Sequence, residues 1–523
     1  MNDIGVAEPA TLAAIDVFII GLYIAGVFAV GAFFMRYVRS ATDLFVAGKA
    51  LPFWAVGMSI VVSDIGAVSF ISVSGATYTY GIAAANFDWI GSMPAMMVAA
   101  FIFIPYYWRA GVYTIPEFLG KRYNNYVQVI HAIIWGIFLI TMLAVMLWMT
   151  SLMLSTVLGI NVYFAIWMMV IIVGIYTLSG GLSAVVLTDV VQMIVMFVGG
   201  FAMVALCIWE IGGWGAMQEQ ILGLGPDYQH HFDLLLPHDA DTPYPWTGIV
   251  FGLGIVLAIG YMAGNQAVVQ RTLGARTEWD CKGGMLFAGF LKCFIPILVA
   301  LPGLAAIVLI GPDLADGDSA MPMMIRDLLP PGLRGLMFAA LFAALMSSVD
   351  SYLNSSSTIW TNDLYGRLLH TIKGRPISQR HGLIVGRVFM GVFIVLAGLI
   401  APLLEGQEAI YNFIQTSLSM FQGPVFAILL LGIMWRRTTQ WGGLAGLVIG
   451  VTFTTILHNT EGVFPSEAPF LFVAMWSFVF SLAVTVIVSL LTPPDPDDKV
   501  RGLIFSQVIQ DGKVQRVLQE RVE

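Results

Sequence analysis

The sequence contains little charge. Asp, Glu, Lys and Arg make up 11% of its 523 residues, whereas hydrophobic residues make up 58%. A soluble globular protein carries about 25% charged residues. The composition therefore excludes a soluble globular protein and predicts a polytopic membrane protein. Cysteine is also scarce. Cys207, Cys281 and Cys293 lie in or beside apolar stretches, and their spacing fits neither a zinc site nor a disulfide framework.

Positive charge is missing from two stretches that bear on topology. Residues 1–14 hold no Lys or Arg, so the basic start of a cleaved secretory signal is missing and we expect the first apolar span to be retained. Residues 211–245 hold no Lys or Arg but five acids. Basic residues favour the cytoplasmic side of a membrane. With the N-terminus outside and the C-terminus inside, only Arg326, Arg334 and Lys292 of the 24 Lys and Arg fall outside the inner segments.

Apolar runs of membrane length indicate about thirteen spans, an odd number that agrees with this orientation. The predicted spans are 15–35, 52–74, 79–106, 127–157, 161–178, 182–210, 246–270, 283–311, 333–365, 382–403, 408–434, 440–457 and 469–492.

Two of these spans are interrupted by residues that disfavour a continuous helix. The second is broken at 63–66 (SDIG) and the seventh at 260–265 (GYMAGN), with five spans from one break to the other. Paired broken helices at matching positions of two halves are typical of transporters with an inverted repeat, which bind substrate at the breaks near mid-membrane. The alternative is that glycine is common in membrane helices for packing reasons alone.

A polar stripe crosses the otherwise apolar stretch 339–363. In a helix, its Ala344, Ser347, Ser348, Asp350 and Ser351 lie on one face. Their oxygen atoms are the kind of ligand that a hard cation such as sodium needs, and an acid inside a membrane is costly unless it serves a pathway or a coupling ion. The alternative is that the small hydroxyl residues only let helices pack closely.

Six motifs in order along the chain resemble one family, the sodium/solute symporters that include sodium/glucose and sodium/galactose cotransporters. They are YTIPEFLGKRYN (113–124), SGGLSAVVLTDVVQ (179–192), NQAVVQRTLGAR (265–276), FLKCFIPILVALPG (290–303), SSVDSYLNSSSTIWTNDLYGR (347–367) and FIQTSLSMFQGPVFAILLLGIMWRRTT (413–439). The resemblance implies an all-α polytopic membrane protein with about 13 transmembrane helices and a leucine-transporter-type 5+5 inverted repeat.

This resemblance also implies a division of the chain. It comprises an N-terminal tail and leading transmembrane helix (1–51), a first five-helix repeat (52–210), an acidic extracytoplasmic loop (211–245), a second five-helix repeat (246–434), two additional transmembrane helices (435–492) and a cytoplasmic tail (493–523).

The resemblance further implies cation sites. The shared sodium site (Na+) of the family would use the backbone carbonyls of Val62, Ile65 and Ala344 and the hydroxyls of Ser347 and Ser348. A second cation, which some members hold further inward, would fall on Asp189, Ser347, Asp350 and Ser351. Asp350 departs from the family because those members carry a hydroxyl there, so a proton is an alternative occupant. The alternative role of Asp189 is that of a helix-end residue facing the cytoplasm.

By the same resemblance, substrate would contact Asp64, Ser69, Asp88, Tyr261, Asn265, Lys292 and Gln415. Tyr261, Gln415 and Lys292 match sugar-site residues, and Asp88 stands in for a glutamate. Ser69 replaces a sugar-binding glutamine and Asp64 an asparagine. The alternatives are that Asp64 caps the second half of the broken helix, that Lys292 only pairs with an acid, and that Tyr261 only packs.

Together these features predict a sodium-coupled symporter that imports a small polar solute, preferably a sugar or polyol. The alternatives are a monocarboxylate, amino acid or amine as the solute, or a transporter-like solute sensor. No nucleophile and base are paired in the sequence, so we expect no enzyme. The expected partners are the solute, sodium and the lipid bilayer, with no nucleic acid and a monomer sufficient for transport. The expected location is the plasma membrane, most simply a bacterial inner membrane.

Overall fold

A computed structural model describes residues 12–35, 39–66, 69–240, 242–374, 376–405, 410–460, 462–464 and 469–504. Within these ranges the chain is helical, and they hold no β-strand, only isolated bridges between Leu51 and Ala275 and between Leu236 and Pro245. Residues 1–11 and 505–523, which include most of the predicted cytoplasmic tail, lie outside the described residues.

The α-helices, in chain order, are α1 (Ala14–Met35), α2 (Ala41–Val46), α3 (Phe53–Asp64), α4 (Ser74–Tyr80), α5 (Asn86–Trp89), α6 (Met93–Val98), α7 (Ile104–Ala110), α8 (Ile115–Arg122), α9 (Asn125–Leu158), α10 (Val162–Ile211), α11 (Trp214–Leu222), α12 (Ala258–Gly264), α13 (Gln266–Leu273), α14 (Glu278–Lys292), α15 (Ile295–Leu309), α16 (Ala320–Asp327), α17 (Leu333–Ile359), α18 (Arg367–Lys373), α19 (Gln379–Ile400), α20 (Ile410–Met434), α21 (Gln440–His458), α22 (Phe470–Leu491) and α23 (Asp497–Val500). The π-helical turns are Ser69–Val73, Ala99–Phe103, Gly248–Leu257 and Trp360–Gly366, and the 3₁₀ turns are Ala47–Lys49, Ile82–Ala85, Pro226–Tyr228, Gly317–Ser319 and Ala401–Leu404.

Long apolar helices account for most of the predicted spans. Among the described residues, nine helices are long and apolar enough to cross a membrane, and two bent helix pairs raise that number to eleven. Two shorter apolar helices, Ala14–Val30 and Val162–Ile175, fall on the first and fifth predicted spans. The count of thirteen crossings and the orientation stay predictions.

Two adjacent predicted spans join in one helical run. The spans expected at 161–178 and 182–210 both belong to α10, which is interrupted only at Gly181. Gly181 has φ 57° and ψ −177°, a backbone conformation that is essentially restricted to glycine. The sequence therefore indicated the right residues, while the connection between them is one glycine rather than a loop.

The two expected helix breaks are confirmed. Helix α3 and the following segment Ser69–Tyr80 meet at 63°, across a break that includes residues 67 and 68, which lie outside the described residues. The segments Gly248–Gly264 and Gln266–Leu273 meet at 49°. A break of this kind leaves carbonyl oxygens and N–H groups without helical partners, so both breaks can supply polar groups inside the apolar bundle.

Segments that the sequence predicts on the inner side contact one another at one end of the bundle, here called the basic end. Arg109 pairs with Glu278 at 2.7 Å. The buried Arg122 donates to the carbonyl of Gly432 at 2.6 Å and lies 3.7 Å from Asp495. One end of the bundle therefore gathers the loop before α9, the loop before α14, the end of α20 and the start of the tail.

The acidic loop and its neighbours form the other end of the bundle, here called the acidic end. The N–H of Ile82 donates to the carbonyl of His231 at 2.8 Å. The Tyr78 hydroxyl donates to the carbonyl of Gly311 at 2.7 Å. Helix α3 therefore starts at the basic end, and the segment after its break runs to the acidic end.

Candidate functional site

Helix α17 carries the polar stripe and is enclosed along most of its length. Every residue from Met337 to Ile359 is buried, so its serines and Asp350 face other helices rather than lipid. This is the arrangement expected of polar groups inside a membrane, which face the protein interior when they serve a site.

The serines of α17 face the break of α3. The Ser347 hydroxyl lies 2.8 Å from the Val62 carbonyl oxygen, and the Ser348 hydroxyl lies 3.0 Å from the Ser63 carbonyl oxygen. Both hydroxyls also lie 2.9 Å from the carbonyl oxygen of Ala344. The structure thus brings four of the five predicted sodium residues together at one point.

The fifth predicted sodium residue ends the helix at the same place. Ile65 is buried and has φ −102° and ψ 81°, so the α-helical conformation stops there. The carbonyl of Ser63, which the sequence did not single out, contacts the Ser348 hydroxyl instead. The oxygen atoms gathered here are hydroxyls and backbone carbonyls, a neutral hard set that fits a sodium ion.

Arg271 occupies the centre of the region expected to hold a second cation. Its guanidinium lies 3.3 Å from Asp189 and also donates to the Ser351 hydroxyl. One carboxylate oxygen of Asp189 and one of Asp350 are buried and have no hydrogen-bond partner among the residues that the structure describes. The structure therefore brings Asp189 and Ser351 together around the Arg271 guanidinium, and the Ser351 hydroxyl lies 3.3 Å from the Asp350 carboxylate.

A cavity lies beside the first break, and charged side chains line one part of it. The Lys292 ammonium is paired with the Asp64 carboxylate and lies 3.1 Å from Asp88. All three side chains line the cavity. The sequence left open whether Lys292 binds substrate or pairs with an acid, and the structure shows the acid pairing at the cavity wall.

Aromatic and amide side chains complete the wall. Tyr261, Ser69 and Gln415, which were predicted to contact substrate, line the cavity, and Tyr352, which was not anticipated, does so as well. The Tyr261 and Tyr352 hydroxyls are 3.0 Å apart. Apolar side chains, among them Phe138, Met142, Met146, Leu253 and Leu257, cover the remaining wall.

Asn265 is the one predicted substrate residue that does not line the cavity. Its side-chain oxygen accepts the N–H of Ala267 at 2.8 Å, and its backbone ends α12 and begins α13. Asn265 therefore caps α13 at the second break, which is a frequent role for asparagine.

Sequence reasoning did not anticipate Arg271, Ser59 and Ser63 as one group. Arg271 donates to both serine hydroxyls, at 2.6 Å to Ser59. The available signal was an arginine six residues beyond the second break, close to apolar sequence. Its partners lie about 200 positions earlier in the chain, so no local pattern connects them.

Fold and site together define a class of protein. Two broken helices meet beside an enclosed helix whose hydroxyls point at a break, and a cavity with polar groups opens next to that point. This is the design of a cation-coupled secondary transporter, in which irregular backbone within the membrane supplies the binding groups.

Comparisons with known proteins agree with this class. The model of the "Sodium:solute symporter family" matches residues 44–450. A sodium/glucose cotransporter of Vibrio parahaemolyticus is 34% identical over 516 residues, which cover 93% of this chain and 92% of that protein. The human sodium/myo-inositol cotransporter is 31% identical over 552 residues, which cover 95% of this chain and 76% of that protein.

The chain therefore belongs to the sodium:solute symporter family. A solved structure of a Na+-coupled sialic acid symporter, in a substrate-bound outward-open state, matches with a TM-score of 0.80 at 22% identity, over 92% of this chain and 99% of that one. This match shows that the two chains share a fold. Members of the family are transporters rather than enzymes, in agreement with the sequence-based expectation.

Proposed function

We propose that this protein is a sodium-coupled symporter for an uncharged polyhydroxylated solute, a sugar or a polyol. The observation that carries the proposal is the arrangement of Asp64, Lys292 and Asp88 on the cavity wall. Two carboxylates around one ammonium give a net charge of about −1 and leave carboxylate oxygens free to accept hydrogen bonds from hydroxyl groups.

The same arrangement argues against anionic solutes. Within the described residues that line the cavity, Lys292 is the only basic side chain, and both acids already compete for it. A carboxylate solute would place a further negative charge in a poorly hydrated space, which is costly. The family relatives named for glucose and myo-inositol support a neutral solute, and the Tyr261 ring offers a flat face for a sugar ring.

Sodium would act by joining two helices. A cation held by the Val62 carbonyl on one side and by Ser347 and Ser348 on the other would fix the inner half of the broken helix against α17. Asp64, which lines the solute cavity, directly follows Val62 and Ser63 in the chain. Binding of sodium and of solute would then favour the same arrangement of the break, and each would raise the affinity for the other.

A second cation at Asp189, Asp350 and Ser351 stays part of the proposal. Support comes from the free buried oxygens of Asp189 and Asp350, since two carboxylates and the one guanidinium of Arg271 leave a net negative charge. We further propose that the N-terminus lies outside and the C-terminus inside, that the protein sits in a bacterial inner membrane, and that a monomer suffices for transport.

The test is the current produced by proteoliposomes when candidate solutes are added with and without sodium. We expect a positive inward current for a sugar or polyol only when sodium is present, and no current for monocarboxylates. A current for an amine instead would keep the symporter and replace the solute class, because the negative cavity also suits a cation. Sodium-dependent current for a monocarboxylate would overturn the argument from charge.

A further inference from the structure

Arg271 on α13 is buried and makes contacts with three other helices. It donates to Ser59 and Ser63 on α3 and to Ser351 on α17, and it pairs with Asp189 on α10. A guanidinium has five N–H donors in a rigid planar fork, which lets a single side chain hold several acceptors in fixed directions. Arg271 thus connects both broken helices to α17 and α10.

The guanidinium contacts the part of α3 that precedes its break. Ser59 and Ser63 come before the break between Asp64 and Ser69, whereas the cavity residues Gly66 and Ser69 lie within it and directly after it. Ser63 contacts both Arg271 and the proposed sodium site, because its hydroxyl accepts from Arg271 and its carbonyl accepts from Ser348. The Arg271 contacts therefore lie between the sodium site and the basic end of the bundle.

Contacts continue along the same interface toward the basic end. Ser355, one turn beyond Ser351 on α17, donates to the Gln270 side chain on α13 at 2.9 Å, and Gln270 donates to Thr358 at 2.9 Å. Helices α13 and α17 are thus joined by polar side chains over two turns of α17, from Ser351 to Thr358.

From these contacts we propose that Arg271 is a positioning residue that keeps an inner route, from the cavity to the basic end, shut while sodium and solute bind. The proposal rests on the symporter function proposed above. Separation of α13 and α3 from α17 and α10 would require the guanidinium to give up Ser351 and Asp189. With sodium present, Ser63 is held by its carbonyl through the cation site and by its hydroxyl through Arg271, so the two sets of contacts support the same closed arrangement.

The pair with Asp189 requires a positive charge at position 271. Asp189 is buried and Arg271 is its only ion-pair partner among the described residues. Removing one partner of a buried pair leaves an uncompensated charge, which is strongly unfavourable in the closed state. An inner route that opens would let water reach that carboxylate, so loss of Arg271 should favour the open arrangement.

The test uses a reporter cysteine at Ser355 in a chain whose Cys207, Cys281 and Cys293 are replaced by alanine. A membrane-impermeant maleimide is applied to inside-out vesicles in sodium buffer, and the labelling rate of Ser355→Cys is measured. We expect Arg271→Gln to raise this rate about tenfold, because a tenfold population shift needs only about 1.4 kcal/mol. Arg271→Lys, which keeps the charge but not the fork, should give an intermediate rate.

Arg276→Gln is the matched control, since Arg276 lies five residues further on and is half-exposed beside Asp280. It should label like the parent. An unchanged labelling rate in Arg271→Gln, with gel filtration showing a folded protein, would overturn the proposed positioning role of Arg271. If Arg271→Gln does not fold, Ser59→Ala removes one of its acceptors and should show a smaller increase in the same assay, and an unchanged rate there would count equally against that role.

The labelling needs no solute, so the two proposals can fail separately. If labelling is faster in Arg271→Gln while no sugar or polyol gives a sodium-dependent current, the result supports the positioning role of Arg271 and contradicts the proposed substrate class. A sodium-driven current for a sugar or polyol, together with unchanged labelling of Arg271→Gln, would support the symporter function and contradict the positioning role of Arg271.

Discussion

At the scale of single residues, two acids near the proposed sodium site are paired with protein cations. Asp64 is paired with Lys292, and Asp189 is paired with Arg271. The oxygens left for sodium in the shared site are neutral hydroxyls and carbonyls. A transported ion has to leave as well as bind, and neutral ligands hold a cation less tightly than carboxylates do.

Replacing Ser348 tests this neutral site. Ser348→Ala removes one ligand oxygen, so we expect the sodium concentration for half-maximal current to rise about tenfold, given that a hydrogen-bond-like contact to a charge contributes about 1.5–3 kcal/mol. Ser356→Ala is the control, because the Ser356 hydroxyl lies on the same helix, is buried and has no hydrogen-bond partner within the described part of the chain. Equal sodium dependence in both variants would count against the assigned site.

Asp318, which lies outside the predicted membrane spans, gives a prediction for the pH dependence of stability. Burial, and then the neighbouring Asp316 carboxylate, raises the pKa of Asp318 to about 7. The folded state therefore holds a proton that the unfolded chain, with an Asp pKa of about 3.9, releases. The free energy of unfolding should fall as pH rises from about 4 to 7 and change no further above that range.

The melting temperature in detergent, measured from pH 4 to 8, checks this sign. Asp318→Asn should match the wild type near pH 4 and become the more stable of the two as pH approaches 7. A difference that stays constant across the range would show that Asp318 does not titrate in this way.

At the scale of secondary-structure elements, the leading helix α1 is hydrogen-bonded to the start of α17. A carboxylate oxygen of the buried Asp16 accepts the N–H groups of Gly332 and Gly335 at 2.7 and 2.8 Å, at the start of α17. The position of a Cβ on Gly335 would lie 2.5 Å from the Cα of Asp16. Only glycine therefore allows α1 to approach so closely and cap α17 from a different helix.

Removing this cap should destabilise the protein. Asp16→Ala leaves two N–H groups at the α17 terminus without their acceptor and removes a negative charge from the positive end of the helix dipole, at a cost of about 2 kcal/mol. We expect a lower melting temperature in detergent. Asp16→Asn keeps an acceptor oxygen, so its melting temperature should fall less. If Asp16→Ala melts at the same temperature as the wild type, Asp16 does not stabilise the protein by capping α17.

At the scale of the whole molecule, the two ends of the bundle differ in charge. The basic end gathers the segments around Arg109, Arg122 and Lys282, and the acidic end gathers the loop 211–245 and the segment around Asp318. Separation of charge to opposite ends agrees with the proposed orientation, in which the basic end faces the cytoplasm.

Labelling of single cysteines tests this orientation. In a cysteine-free chain, Asp233→Cys in the acidic loop should react with an impermeant maleimide in intact cells, and Lys373→Cys after α18 should react only once the membrane is opened. Both positions are exposed in the structure, so access rather than burial decides the result. The reverse pattern would invert the topology.

Features that depend on short stretches of sequence could be predicted. The spans, the breaks at 63–66 and 260–265, and the serine face of α17 all follow from local hydrophobicity and helical periodicity. The single run of α10 was missed because glycine permits either a loop or a sharp turn, and the choice at Gly181 depends on how the flanking helices pack.

The sequence by itself determined that the chain is a helical membrane protein with two interrupted helices and an oxygen-rich one, because the length and period of apolar runs act locally. Only the tertiary structure decided which charges meet: Lys292 with Asp64 and Asp88, and Arg271 with Asp189. These partners are 82 to 228 positions apart in the chain. Their pairing depends on which helix faces pack together, and a buried charge accepts whichever partner that packing brings within reach.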